Sequence, residues 1–61
     1  MTDSTEVIAL KKRAMEALDV AAKETSRLST ELNYFGHKYR AEKAATIEDE
    51  IYELHSRIND L

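Results

Sequence analysis

Apolar residues near the C-terminus follow a 3-4-3-4-3 spacing, which puts them all on one side of an α-helix. They are Ala44, Ile47, Ile51, Leu54, Ile58 and Leu61. Such a seam has to be covered, either by the first half of the chain or by another molecule. The first half carries a matching heptad seam. It consists of Ala14, Leu18, Ala21, Thr25, Leu28, Leu32 and Phe35.

The only glycine, Gly36, lies between the two seams. Glycine is the usual residue just past a helix end, and the heptad phase also breaks at this point. We therefore predict an all-α fold, an antiparallel two-helix hairpin resembling a coiled coil within a single domain, 1–61. The first helix is expected at about 4–35, the turn at 36–38 and the second helix at about 38–59. Thr2, Asp3, Ser4 and Thr5 are candidate N-caps.

Two other foldings fit parts of the pattern. In the first, the second helix begins at Thr46, which is followed by the acidic residues Glu48, Asp49 and Glu50, and 37–45 is an ordered loop. A single long helix through Gly36 would give a purely structural coiled-coil segment.

Folding back at Gly36 brings together residues whose numbers sum to 72. The predicted pairs are Leu28–Ala44, Thr25–Ile47, Ala21–Ile51, Leu18–Leu54 and Ala14–Ile58. A small residue faces a large one in four of these five layers, as close packing of two helices requires. The pairing supports the hairpin and predicts its core.

A chain of 61 residues without cysteine has neither a disulfide nor a thiolate metal site to stabilise it. We expect the additional stability to come from oligomerisation into a helical bundle or from docking on a partner protein's helix. A second apolar strip beside the predicted core would supply the surface. The predicted partner-binding residues are Ile8, Met15, Ala22, Ala45, Tyr52 and His55.

Catalytic and metal chemistry is not expected. His37 and His55 are the only histidines and are far apart in a hairpin, whereas a zinc site needs three or four close ligands. The carboxylates from Glu48 to Glu53 have no cleft in a two-helix hairpin that would support general acid–base catalysis. We predict no catalytic residue, no metal, no cofactor and no small-molecule ligand.

The net charge of −3 argues against general nucleic-acid binding. Lys38 and Arg40 lie beside aromatic residues, so an RNA-binding helical dimer like Rop is the alternative function, with these two residues as its contacts. No apolar run reaches the length of a membrane span, and the first residues do not resemble a secretory signal. A cytoplasmic protein that does not enter membranes is expected.

The run Tyr39–Leu54 resembles the second half of the UVR motif, the helical hairpin found in UvrB and UvrC. The matching residues are Glu42, Ala44, Ala45, Ile47, Asp49, Ile51 and Leu54, with Leu28 and Leu32 at apolar positions of the motif's first helix. Arg40, Ala41 and Glu48 depart from the motif, and Gly36 predicts an earlier turn. The resemblance implies a non-enzymatic hairpin for protein–protein docking. An adaptor, a small chaperone or an assembly subunit is the expected function.

Overall fold

A computed structural model describes residues 3–61 as two α-helices joined by a tight turn. Helix α1 covers Thr5–Tyr34 and helix α2 covers Lys38–Asn59. The helices pack against each other along their length, so the predicted all-α hairpin is confirmed. Because α2 is continuous from Lys38, the 37–45 loop and the single long helix are both wrong.

Ser4 begins α1. Its Oγ accepts a hydrogen bond from the backbone N–H of Val7 at 3.2 Å, and Glu6 adds an acidic side chain to the first turn. This bond satisfies one of the backbone donors that every helix start leaves free. Of the predicted N-caps, Thr2 lies outside the described residues.

The turn ends α1 through two backbone hydrogen bonds around Gly36. The N–H of Gly36 donates to the carbonyl of Asn33 at 3.1 Å, and the N–H of His37 donates to that of Leu32 at 2.8 Å. This pair of bonds defines a Schellman motif, which needs a left-handed residue at the position of Gly36. Gly36 has a φ of 82°. The lone glycine therefore reverses the chain, as its position predicts.

Small residues form the closest contact between the helices. Ala22 is 0% exposed, and Ala41 and Ala44 are 6% and 4% exposed. Beside them the Ser29 hydroxyl donates a hydrogen bond across the helix pair to the carbonyl of Ala41 at 2.9 Å. Among the described residues no side chain larger than alanine is fully buried, so the hairpin is a single layer with little core of its own.

The contact faces are rotated from those predicted. The least exposed positions of α1 include Met15, Leu18, Ala22, Thr25, Ser29 and Leu32, and those of α2 are Ala41, Ala44, Glu48, Ile51, His55 and Ile58. Three predicted core residues are instead about half exposed: Leu28 at 54%, Ile47 at 50% and Leu54 at 45%. The predicted core is wrong in these layers, because close approach of two helices selects the line of smallest side chains.

Helix α1 is longer than α2, with 30 residues against 22. The difference of eight residues amounts to about 12 Å of helix. Residues 3–10 are all exposed, and Leu61, just past the end of α2, lies in one groove with Val7 and Leu10. The start of α1 therefore projects beyond α2, and we call residues 5–10 the overhang.

Candidate interaction surfaces

The predicted partner-binding strip lies mostly along one flank of the hairpin. Ile8, Met15 and His55 line one open groove of about 460 Å³ on this flank. Tyr52 lines a second groove farther toward the turn, and Ala45 lines a third. The structure thus brings the strip's members from the two helices onto one side, as the hairpin geometry predicts.

The strip is not the apolar surface left over after packing. Ala22 is fully buried between the helices, so its predicted exposure to a partner is wrong. Met15 and His55 are half-buried beside it, whereas Ile8 and Tyr52 are 53% and 47% exposed. Part of the strip is buried between the two helices of the hairpin itself, because α2 packs closer to this side of α1 than predicted.

Charged side chains also interrupt this flank. The grooves beside Met15 and Tyr52 are lined by residues of both signs: Asp3, Lys11, Lys12, Glu16, Asp19, Lys23, Glu24, Arg27 and Glu48. Two surface ion pairs occur here, Asp19–Lys23 and Glu24–Arg27, each at 3.3 Å. Exposed pairs of this kind contribute little stability, and they make the flank a solvated one.

The opposite flank is apolar and open. At one end, Val7, Leu10 and Ala14 share a groove of about 320 Å³ with Ile58 and Leu61. Helical spacing continues this side toward the turn in steps of three, four and seven residues. The open apolar face is formed by Val7, Leu10, Ala14, Ala17, Ala21, Leu28, Ile47, Leu54 and Leu61.

The large side chains of the open apolar face are only partly covered. Val7, Leu10, Leu28, Ile47 and Leu54 are between 45% and 54% exposed, and Leu61 is 84% exposed. A row of half-covered aliphatic side chains across two helices differs from the single exposed apolar residues found on most surfaces. Leu28, Ile47, Leu54 and Leu61 belong to the two heptad seams, so the seams indicated part of this apolar surface, but the interpretation that the other helix covers it was wrong.

The tip of the hairpin combines aromatic and basic residues. Tyr34, Phe35 and Tyr39 are 82%, 67% and 71% exposed. Lys38 and Arg40, the predicted nucleic-acid contacts, are exposed beside them. The Tyr34 and Phe35 rings meet edge to face at 5.1 Å, and the Lys43 Nζ lies 5.3 Å from the centre of the Tyr39 ring. The tip could therefore present stacking surfaces and cations together.

Two further observations concern residues 3–61. Within this range no three histidine, aspartate or glutamate side chains are grouped as metal ligands would be. Neither helix combines the length and the apolar character that crossing a bilayer demands.

Comparison with known proteins adds no functional information. No family model, no curated protein and no solved structure matches this chain. The resemblance of Tyr39–Leu54 to the UVR motif therefore stays a prediction.

Proposed function

We propose that the protein is a cytoplasmic, non-enzymatic protein–protein interaction module, an adaptor, small chaperone or assembly subunit, that docks through its open apolar face. The observation that carries this proposal is the row of half-exposed aliphatic side chains on one side of both helices. An exposed surface formed by several neighbouring aliphatic side chains is typical of docking sites. The proposal moves the docking surface from the predicted strip to the opposite flank.

Burial of this face would supply the driving force. Full burial of a valine, leucine or isoleucine contributes about 1.5–3 kcal/mol. Since Leu10, Leu28 and Ile47 are about half exposed, each would contribute about 1 kcal/mol more when covered. The hairpin alone buries no side chain larger than alanine among residues 3–61, so covering this face would add substantially to its stability.

A photo-crosslinking amino acid at position 28 should capture a docked protein in the native host. Leu28 is the position of choice because it is 54% exposed and is a large side chain of the open apolar face, at the end of the face nearest the turn. We expect a defined crosslinked species, identified by mass spectrometry. The crosslinker should leave the hairpin intact, because the side chain at this position does not lie in the closest contact between the helices.

Val20 provides the matched control. It is an apolar residue of α1 and is 59% exposed, but it lies two residues from the buried Ala22, on the outer side of the helix. A crosslinker at position 20 should capture at least about tenfold less protein. Equal capture at positions 20 and 28, or none at position 28, would contradict docking through the open apolar face.

The tip supports a second candidate function, single-stranded RNA binding in the manner of a Rop-like dimer. The three exposed aromatic side chains next to Lys38 and Arg40 favour it. If it is correct, changing Lys38 and Arg40 to alanine should make the slope of log K against log salt shallower by about 1.4, because each phosphate contact on a single strand contributes about 0.7 to that slope. Titration of a short single-stranded RNA at several salt concentrations measures this slope. The double variant Lys11→Ala/Lys12→Ala, near the other end of α1, is the control, and an equal loss in both variants would count against a tip site.

A further inference from the structure

We propose that a second copy of this chain covers the open apolar face, running in the opposite direction, so that two hairpins form an antiparallel four-helix bundle. This inference rests on the proposed function and names its partner. The first support is area. The chain exposes 5121 Å², whereas a compact monomer of 7.0 kDa exposes about 4,000 Å². The excess, about 1,100 Å², is enough for the ~800 Å² per partner of a standard interface.

The apolar residues of α1 are arranged symmetrically on this face. Leu10 and Leu28 are each nine residues from position 19, and Ala17 and Ala21 are each two residues from it. A two-fold axis that crosses α1 at this level sets Leu10 against Leu28 of the second copy. It also brings Ala17 opposite Ala21 of the second copy, so that small residues at the centre allow the helices to approach closely.

The charges that border the face on α2 have a matching symmetry. Glu50 and Arg57 flank it on α2, because each is three or four residues from Leu54 on the side away from the half-buried Ile51 and Ile58. Their midpoint is position 53.5. Ala14 and Ile58 share one groove, so residues of α1 and α2 whose numbers sum to 72 lie at the same height along the hairpin. Position 53.5 of α2 is therefore at the height of position 18.5 of α1, close to the axis at position 19.

One axis therefore brings Arg57 of each copy to Glu50 of the other, twice by symmetry. The other face-to-face arrangement has its two-fold axis along the helices and keeps residues at the same level of the hairpin side by side. Glu50 and Arg57 would then not meet across the interface, because they lie at different levels of α2. Charge complementarity on α2 thus favours the antiparallel pair.

Disulfide formation between single-cysteine variants tests this arrangement, and the chain has no native cysteine to interfere. Leu10→Cys and Leu28→Cys are made as separate proteins, mixed and exposed to a glutathione redox buffer. In the antiparallel pair, position 10 of one copy faces position 28 of the other. Position 10 of one copy is about 27 Å from position 10 of the other, which is too far for a disulfide. We expect the mixed disulfide to form at least about tenfold faster than the disulfide of either variant alone.

Charge reversal provides an independent measurement on variants that change only exposed residues. Glu50→Arg and Arg57→Glu should each weaken self-association about tenfold in sedimentation equilibrium, since each reverses two ion pairs. The double variant carries both changes and should regain the wild-type affinity.

Three results would overturn the proposal. The first is that the disulfide of either cysteine variant alone forms as fast as the mixed disulfide. The second is that the double charge-reversal variant self-associates more weakly than either single variant, and the third is a helical monomer of 7.0 kDa at all concentrations. The monomer would leave the proposed function standing if position 28 still crosslinks to another protein in the host. Failure of that crosslink, with the bundle observed in vitro, would instead limit the proposed function to self-assembly.

Discussion

Replacing Ala22 with leucine should destabilise the hairpin more than any other single apolar substitution. Ala22 is 0% exposed and lies where α1 and α2 come closest, so a larger side chain has to push the helices apart. Overpacking of this kind costs about 1–3 kcal/mol. A chain of this size draws only about 3–5 kcal/mol from its core, so the loss would be a large fraction of its stability.

Urea or thermal unfolding followed by circular dichroism measures the effect on Ala22→Leu. Ala9→Leu is the matched control, because Ala9 belongs to the same helix and is exposed. Alanine and leucine have similar helix propensities, so the control should unfold within about 0.5 kcal/mol of the wild type. Equal losses in the two variants would contradict the close contact at Ala22.

At Gly36 the two mirror-image alanines should have opposite effects. The φ of 82° disfavours an L-residue, and a Cβ at this position would meet no atom within 4 Å. The cost of L-alanine is therefore conformational and amounts to about 1–2 kcal/mol. D-alanine prefers positive φ and restricts the unfolded chain, so it should raise stability by about 0.4–1 kcal/mol.

Chemical synthesis gives access to both diastereomers of a 61-residue chain, and their free energies of unfolding can be compared directly. The two products have the same composition and hydrophobicity, so each serves as the control of the other. If the L-variant were as stable as the D-variant, the left-handed turn and the Schellman motif at Gly36 would have to be abandoned.

Helix positions and the reversal follow from local signals in the sequence. The heptad seams specify two helices, and Gly36 specifies where they separate, because a left-handed helix end is strongly selective for glycine. Such features depend on neighbouring residues only. The amino-acid sequence of this one protein is therefore sufficient to predict them.

Local signals could not predict which side of each helix forms the contact between the helices. The apolar arc of α1 is wide, since Ala21 and Ala22 both belong to heptad-spaced lines, and periodicity alone does not choose between them. Glu48 also lies on the contact line of α2, although a carboxylate argues against a core position. Its long aliphatic stem can pack at the edge of the contact while the carboxylate points to water. The spacing of the small residues Ala22, Ser29, Ala41 and Ala44 was the signal that marked the actual contact.

The overhang of α1 gives the proposed assembly a thermodynamic consequence. In the isolated hairpin, residues 5–10 have Ser4 as their cap and share grooves with only the last residues of the described chain, His55, Ile58 and Leu61, so their helix is marginal by itself. In the antiparallel pair the same residues lie against α1 of the other copy near its Leu28. Folding of the first two turns is then coupled to association, and the helical content of the solution rises with protein concentration.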